Sequence, residues 1–228
     1  MASSHLKLAL TYDVQQLQQE LNHCLNKQWP LHFNNFDYEG DWRSISLRSA
    51  SGKINDIFAH SVDMTYVDTP LMAEVDYIRS VVDSWKCEKE SVRLLALSPG
   101  SIIKPHKDRG CSYQEGSFRI HIPIRTNKAV DFTIDGTKLF LEEGTCWYMD
   151  FGKTHHIENR GENNRIHLIM DCIRNEWTDM LFSENAYDFE PSPIEIEQAK
   201  VTRALMIAEL EKMDTDTARA LIVKIKSE

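Results

Sequence analysis

Apolar residues recur at intervals of three and four in two stretches of the first third of the chain, which predicts two amphipathic helices. The first helix follows a short predicted strand at residues 6–10 and begins after Asp13, a capping residue with Gln16 three positions later. The second begins at Thr69-Pro70, where threonine can cap and proline suits the first helical position. The apolar positions that define the two faces are Val14, Leu17, Leu21, Cys24 and Leu25 in the first helix, and Leu71, Val75, Ile78, Val82 and Trp85 in the second.

Between residues 91 and 173 the pattern changes to short apolar or alternating segments separated by turns, which predicts a series of strands. In the segment 118–125, four apolar side chains alternate with Arg119, His121 and Pro123, so the two sets are expected on opposite faces. Asp135-Gly136 is a strong signal for a two-residue hairpin. The predicted strands are 92–97, 102–108, 118–125, 132–134, 138–141, 145–150 and 165–173. Many short strands without intervening helices favour an antiparallel barrel or jelly roll, so the predicted fold class is mainly β with flanking helices.

The strand signal ends after Trp177, and the last part of the chain has the pattern of two helices. Pro191-Ser192-Pro193 marks a stop and a new start, apolar residues within 194–210 suggest one helix, and Asp214 or Asp216 can cap another. The pattern therefore predicts a β domain with N-terminal α/β elements at 1–180 and a helical extension at 190–228. The extension is expected either to cover the barrel with a solvent-facing surface or to form a homodimer through its helices, and the sequence leaves both open.

Composition places the chain among ordinary globular proteins and argues against two classes of partner. Its 228 residues are 42% hydrophobic and 27% charged, which is too apolar for a disordered chain. A formal charge of −9 argues against nucleic-acid binding, which needs a basic surface. No run reaches the roughly 20 apolar residues of a membrane span, and the first ten residues lack the apolar core of a secretory signal. The five scattered cysteines, without a CxxC pair, are expected to be free thiols in a reducing compartment, which predicts a cytoplasmic protein.

Two of the predicted strands carry residues that can bind a metal ion. His106 and Asp108 are two positions apart, so on a strand they point to the same side, about 6.6 Å apart along the chain. A later strand offers His155 or His156 as a second imidazole. Two histidines and one carboxylate are the ligand set of non-haem Fe(II) oxygenases, because coordination positions stay open for other ligands. Arg165, ten residues after His155, would be costly to bury without an anion, and this indicates a co-substrate with two carboxylates.

Further motifs surround these residues at fixed spacings. In chain order the full set is Leu97-Ser98-Pro99-Gly100, His106-Lys107-Asp108, Phe118-Arg119-Ile120-His121-Ile122-Pro123, Glu142-Glu143-Gly144, Met149-Asp150, His155-x-Ile157-x-Asn159 and Arg165-x-His167-Leu168-x-x-Asp171. In order and spacing, the stretch 93–171 resembles the aspartyl/asparaginyl β-hydroxylase family of Fe(II)- and 2-oxoglutarate-dependent dioxygenases, which includes bacterial cis-proline hydroxylases. The resemblance implies a double-stranded β-helix core, a cupin-like jelly roll, with Fe(II), 2-oxoglutarate and O2 as cofactor and co-substrates.

The resemblance also implies roles for individual residues. In the family, an aliphatic residue, an asparagine and an arginine follow the distal histidine at two, four and ten positions, and His155 fits this spacing whereas His156 does not. His106, Asp108 and His155 are thus implied to bind the metal and to be the catalytic residues. Arg165 is implied to bind the distal carboxylate of 2-oxoglutarate, with Arg119 and His121 at its other carboxylate.

The sequence leaves several of these roles open. Arg119 could hold the carboxylate of the prime substrate instead, and His121 could be a core histidine. The mouth of the barrel is expected at residues 33–43 and 109–116, where Trp42 and Arg43 are candidates for substrate contact or, for the tryptophan, for the edge of the core.

The resemblance implies a hydroxylase that acts on an unactivated C–H bond of an amino acid, free or peptidyl, of the Asp, Asn or Pro type, with release of succinate and CO2. A small amino-acid-like molecule or a short peptide is therefore the expected partner, without nucleic acid or membrane. The alternatives are the same chemistry on another small metabolite, or a cupin-type metal-binding protein without oxidative turnover. Arg165 distinguishes the oxidative enzymes from the cupin-type protein, because a protein without oxidative turnover has no need of an anchor for a dicarboxylate.

Overall fold

Two antiparallel sheets dominate the computed structural model, which describes residues 4–59, 64–189 and 193–227. The strands are β1 (His5–Thr11), β2 (Tyr38–Glu39), β3 (Trp42–Ser49), β4 (Val67–Asp68), β5 (Lys89–Leu97), β6 (Ile102–His106), β7 (Ser117–Arg125), β8 (Val130–Ile134), β9 (Thr137–Leu139), β10 (Thr145–Met149), β11 (His155–Asn159) and β12 (Arg165–Ile173). The predicted fold class, a mainly β jelly roll with flanking helices, is confirmed.

The two sheets face each other across one apolar core. The larger runs in the order β1-β10-β7-β12-β5-β3-β4, and the smaller in the order β2-β6-β11-β8-β9. From β5 onward the chain passes back and forth between them, which is the connectivity of a double-stranded β-helix. The core between the sheets includes Leu95, Leu97 and Ile169 from the larger sheet and Ile103, Phe132 and Ile157 from the smaller one.

Strand alternation decides which residues of the larger sheet face the interior of the sandwich. In β7 the apolar residues Phe118, Ile120, Ile122 and Ile124 are fully buried on the outer face, where helix α1 (Val14–Cys24) packs. Arg119 and His121 therefore point to the inner face, as the sequence predicts. The remaining helices of this unit are α2 (Asp76–Ser84) and α3 (Glu176–Glu184).

The first predicted helix is confirmed with its cap, and the second begins later than predicted. The Asp13 carboxylate accepts hydrogen bonds from the backbone N–H groups of Gln15 and Gln16 at 2.9 and 3.1 Å. Residues Pro70–Glu74 form only a 3₁₀ turn, and α2 begins at Asp76. A tertiary hydrogen bond explains the difference. The Thr69 hydroxyl donates to the Ser46 carbonyl oxygen at 2.9 Å, so it does not cap the helix.

The hairpin predicted at Asp135-Gly136 joins β8 to β9, and both turn residues have positive φ angles of 48° and 75°. Positive φ at both central residues is the geometry of a type I′ turn, which aspartate and glycine tolerate best.

The described residues from Asp188 onward, 188–189 and 193–227, belong to a separate compact unit. It contains α4 (Pro193–Met213) and α5 (Asp216–Ser227), and Thr215 rather than an aspartate caps α5, by accepting from Ala218 N at 3.1 Å. Apolar side chains such as Leu205, Met206 and Val223 are exposed on this helix pair. The domain limits 1–180 and 190–228, and the homodimer through these helices, stay predictions. In the described part of the chain, no helix has the length and apolar character to cross a membrane.

Candidate active site

The two histidines of the candidate metal site lie opposite each other on neighbouring strands. His106 is the last residue of β6, His155 is the first of β11, and the two are direct partners in the antiparallel register. Their ring centroids are 4.2 Å apart. Asp108 follows the end of β6 by two residues, and its Oδ1 lies 3.5 Å from His106 Nε2. The three side chains each offer one ligand atom within 4.8 Å of the others, so a single ion can contact all three.

Local hydrogen bonds determine which nitrogen of each ring faces the shared point. His106 Nδ1 lies 2.7 Å from the Lys104 carbonyl oxygen, and His155 Nδ1 lies 3.1 Å from the Lys153 carbonyl oxygen. Because a carbonyl can only accept, Nδ1 carries a proton in both rings, which leaves Nε2 as the nitrogen available to a metal. Burial, reinforced by His106, lowers the pKa of His155 to about 4, so this ring is neutral at pH 7. His156 lies outside the cluster.

Asp108 is oriented by a chain of charges that crosses three strands of the larger sheet. Arg119 of β7 donates from Nη1 to Asp108 Oδ2 at 2.7 Å and from Nε to Asp171 Oδ1 at 2.6 Å. Arg93 of β5 donates from Nη2 to Asp171 Oδ2 at 2.6 Å, and the Ser91 hydroxyl donates to the same oxygen. Asp171 of β12 thus lies between two guanidinium groups, one of which holds the candidate metal ligand.

These ion pairs keep both carboxylates charged although they are buried. Burial alone would raise the pKa of Asp171, but Arg119 and Arg93 outweigh it and lower the pKa to about 2. For Asp108, burial is again the largest single effect and raises the pKa, whereas Arg119 and the two histidines together hold the pKa below its usual value. Asp108 is therefore an anionic oxygen donor at neutral pH.

A second polar cluster lies on the same inner face of the larger sheet, toward the other end of β12. Arg165 Nη2 donates to His167 Nδ1 at 2.8 Å, and His121 Nδ1 lies 3.3 Å from that nitrogen. Since a guanidinium can only donate, His167 Nδ1 is unprotonated and the hydrogen sits on its Nε2. In the described part of the chain, Arg165 Nε, His121 Nε2 and His167 Nε2 are buried without a hydrogen-bond partner. Burial lowers the pKa of Arg165 to about 9, so the group stays charged at pH 7.

Among the described residues, no carboxylate pairs with Arg165. Its guanidinium carbon lies 5.7 Å from the centroid of the Phe132 ring instead. Phe132 is two residues along β8 from Ile134, the direct partner of His155, which corresponds to about 7 Å along the strand. A buried cation without an acidic partner is costly. The position of Arg165 therefore favours a bound anionic ligand, one long enough to reach from the metal site to the guanidinium.

A cavity of about 460 Å³ borders the triad on the side of the ion pairs of Asp171. Three residues of the predicted site line it, namely His106, Asp108 and Arg119, while His155, His121 and Arg165 do not. Part of its wall is aromatic: the His32 ring is stacked between Phe33 and Trp42, with centroid distances of 4.6 and 3.5 Å. From the two predicted mouth segments, Phe33, Asn34, Trp42, Arg109, Gly110 and Cys111 line the cavity. Arg43 does not, because it pairs with Asp41.

Sequence reasoning assigned no role to Arg93, Asp171, Glu90 or His32, all of which line this cavity. A signal existed for two of them. Arg93 stands in the apolar run 92–97 and Asp171 in the apolar strand 165–173, and a single charge in a buried strand needs a partner of opposite sign. Glu90 and His32 carried no comparable signal.

The residues present fit the groups that the family resemblance implies. Two imidazoles and one carboxylate, each offering one ligand atom, match the donor set of non-haem Fe(II). The unpartnered donors of Arg165 and His167 match one carboxylate of a keto-diacid such as 2-oxoglutarate.

Comparisons with solved structures agree with the observed fold. The chain is similar to an oxidoreductase of the 2-oxoglutarate–Fe(II) oxygenase family from Burkholderia pseudomallei, at 12% identity and a TM-score of 0.51, over 72% of this chain and 81% of that one. It is also similar to the non-haem α-ketoglutarate-dependent epimerase SnoN from nogalamycin biosynthesis, at 8% identity and a TM-score of 0.50, over 75% and 78% of the two chains. At such identities the likeness concerns the fold alone. No curated protein matches the sequence.

The fold and the family together define the class of enzyme, a 2-oxoglutarate-dependent dioxygenase of the hydroxylase type. The model of the aspartyl/asparaginyl β-hydroxylase family matches residues 11–175, and the chain belongs to this family.

The two adjacent histidines provide a matched test of the metal site. We expect His155→Ala to weaken Mn(II) or Fe(II) binding by more than roughly 100-fold, because it removes a ligand, whereas His156→Ala should leave binding intact. Titration followed by electron paramagnetic resonance of Mn(II) measures both. The opposite ranking would show that the metal lies elsewhere.

Asp171→Asn should weaken both the fold and the metal site. It leaves two buried guanidinium groups short of an anion, so we expect a loss of about 3–5 kcal/mol in the free energy of unfolding, measured with urea. Metal affinity should fall roughly 10- to 100-fold, because Arg119 is no longer held by a charged Asp171 and so orients Asp108 less firmly.

The low pKa of Asp171 predicts how the stability difference between Asp171→Asn and the wild type depends on pH. A carboxyl group whose pKa is depressed in the folded state stabilises the fold above its unfolded pKa of about 3.9, so the difference between Asp171→Asn and the wild type should shrink as the pH falls from about 4 toward 2. Asp131→Asn is the control, since among the described residues the Asp131 carboxylate pairs with the exposed Lys138 and with Thr133 of its own strand. Equal effects of the two substitutions would contradict a special role for Asp171.

Proposed function

We propose that the protein uses Fe(II) and 2-oxoglutarate to hydroxylate an unactivated C–H bond of an amino acid, free or within a peptide. The observation that carries the proposal is the His106–Asp108–His155 triad beside Arg165, a buried cation that lacks an acidic partner among the described residues. A metal site alone would suit many proteins. The additional guanidinium is what favours a co-substrate with a distal carboxylate over a non-oxidative cupin-type protein.

In this proposal the three ligands hold the metal, and Arg165 with His167 binds the distal carboxylate of 2-oxoglutarate. When bound, the iron would supply the oxidation, in which 2-oxoglutarate, O2 and the substrate C–H are converted to succinate, CO2 and the hydroxylated product. The chain itself contributes geometry. The fixed Nδ1–H tautomers aim both imidazoles, and the ion pair with Arg119 aims the carboxylate.

Arg119 and His121 have a more specific environment than the sequence suggests. Two nitrogens of Arg119 are already bonded to Asp108 and Asp171, which makes orientation of Asp108 its first task. Its Nη2 has no hydrogen-bond partner among the described residues, so the proposed contact with a carboxylate of 2-oxoglutarate or of the substrate uses this atom. His121 stacks on Phe151 at 5.0 Å, and Phe151 lies edge-on to His155 at 4.6 Å, so aromatic contacts join the two polar clusters.

The proposal is tested by a screen for succinate release with Fe(II), 2-oxoglutarate, O2, and a panel of free amino acids and short peptides. We expect at least one compound to raise succinate formation and to gain one oxygen atom by mass. Asp108→Ala, which removes the carboxylate ligand, is the inactive control. Absence of substrate-dependent succinate across the panel, from protein shown to bind metal, would count against the function proposed.

Removal of Arg165 isolates the co-substrate contact. We expect Arg165→Ala to raise the KM for 2-oxoglutarate roughly 10- to 100-fold without a change in metal affinity. This factor corresponds to the free energy of charged hydrogen bonds to one carboxylate. Arg165→Lys keeps the charge and should give a smaller increase. Arg160→Ala, at an exposed arginine five positions earlier, is the control. An unchanged KM in folded Arg165→Ala would remove the assignment.

A further inference from the structure

Glu90 enters the cavity because β5 contains a bulge. In the pairing of β5 with β12, Val92 is the partner of Met170, but Lys89 is the partner of Cys172, so the register shifts by one residue. Two residues of β5, Glu90 and Ser91, therefore stand opposite the single residue Asp171. Regular alternation would place Glu90 on the outer face together with Val92. The bulge turns it to the inner face instead, where it lines the cavity beside the triad.

Glu90 is the acid of this cavity that lacks a cation. Asp108 and Asp171 also line the cavity, and both are bonded to arginines. Glu90 is half-buried and has no ion pair or hydrogen bond through its side chain among the described residues. Burial, with the nearby Asp171 and Glu88, raises its pKa, which shows that its surroundings do not yet compensate its charge. A cationic group in the cavity would do so.

The same cavity holds cationic groups that still have hydrogen-bond donors to offer. Lys107 and Arg109 line its rim and form no ion pair among the described residues. Deeper in, Arg93 is 2% exposed, and its Nε is a buried donor without a partner in the described part of the chain. The cavity thus presents the carboxylate of Glu90 together with the unpaired cations Lys107 and Arg109 and the free Nε–H of Arg93, within a volume of about 460 Å³ that suits a small molecule.

We propose that this cavity binds a free amino acid, with Glu90 holding its ammonium group and the cationic groups holding its carboxylate. The inference rests on the proposed function and narrows it, because an internal residue of a peptide has neither charge to offer. Glu90 is then a specificity-determining residue that selects substrates with an unblocked amine. The bulge in β5 is the structural feature that supplies it.

The test compares Glu90→Gln, which keeps the shape and removes the charge, with Glu88→Gln, an exposed glutamate two residues earlier that does not line the cavity. The probes are the twenty common L-amino acids, their N-acetyl derivatives and their carboxamides. For the preferred free amino acid, we expect Glu90→Gln to lower kcat/KM roughly 10- to 100-fold, through KM, as expected for a lost charged hydrogen bond. Glu88→Gln should behave as the wild type.

N-acetyl derivatives should be poor substrates for the wild type and should be insensitive to Glu90→Gln. Carboxamides should bind more weakly than the free amino acids because they lack the carboxylate, and this loss of affinity should not depend on Glu90. The inference is overturned if Glu90→Gln leaves kcat/KM for the free amino acid unchanged, or if N-acetyl compounds are used as well as free ones.

A binding measurement separates this inference from the proposed function. Equilibrium dialysis of the same amino acids against the wild type, Glu90→Gln and Glu88→Gln needs no turnover. Binding that depends on Glu90, without succinate release, would support the subsite and contradict the hydroxylase. Succinate release together with binding that ignores Glu90, or the absence of binding by any free amino acid, would contradict the subsite.

Discussion

The site depends on the ion pairs that Asp171 makes with Arg93 and Arg119. Each of these charges lies on a different strand, and each would be costly to bury alone between two apolar sheets. Because the strands are adjacent in the order β7-β12-β5, strand pairing brings the charges together without further adjustment. Arg119 then reaches across to the smaller sheet and holds Asp108. The carboxylate of the candidate metal site is thus positioned by the larger sheet, although it follows a strand of the smaller one.

The inner face of β12 is divided into two ends with different charge balance. At one end, Asp171 is paired with Arg93 and Arg119. At the other end, Arg165 and His167 keep buried donors without acceptors among the described residues. Ile169 lies between them and belongs to the apolar core. The paired end can exist without a ligand, whereas the unpaired end favours an anion, since a buried cation is stabilised mainly by a partner. This asymmetry favours separate places for co-substrate and substrate on either side of the metal.

Local patterns in the sequence predicted most of the strands, the Asp135-Gly136 hairpin and the Asp13 cap, because each depends on residues close along the chain. Alternation also predicted that Arg119 and His121 share a face. What local patterns could not predict depends on distant partners. The Thr69 hydroxyl bonds to Ser46, 23 residues away, and so leaves the predicted helix start uncapped. Glu90 follows a register shift against a strand some 80 residues later, and no periodicity in β5 itself reveals it.

The three candidate ligands differ in how their orientation is secured. Each histidine donates to the carbonyl oxygen two residues before it, so a short segment of chain is enough to aim its Nε2. Among the described residues, the Asp108 side chain makes no such local hydrogen bond; its Oδ2 is held by Arg119, which is held in turn by Asp171, 63 residues further along the chain. Imidazole orientation is therefore robust to changes elsewhere in the sheet, and carboxylate orientation is not. Changes in the larger sheet should thus alter the metal site first through its oxygen ligand, while the two nitrogen ligands remain in place.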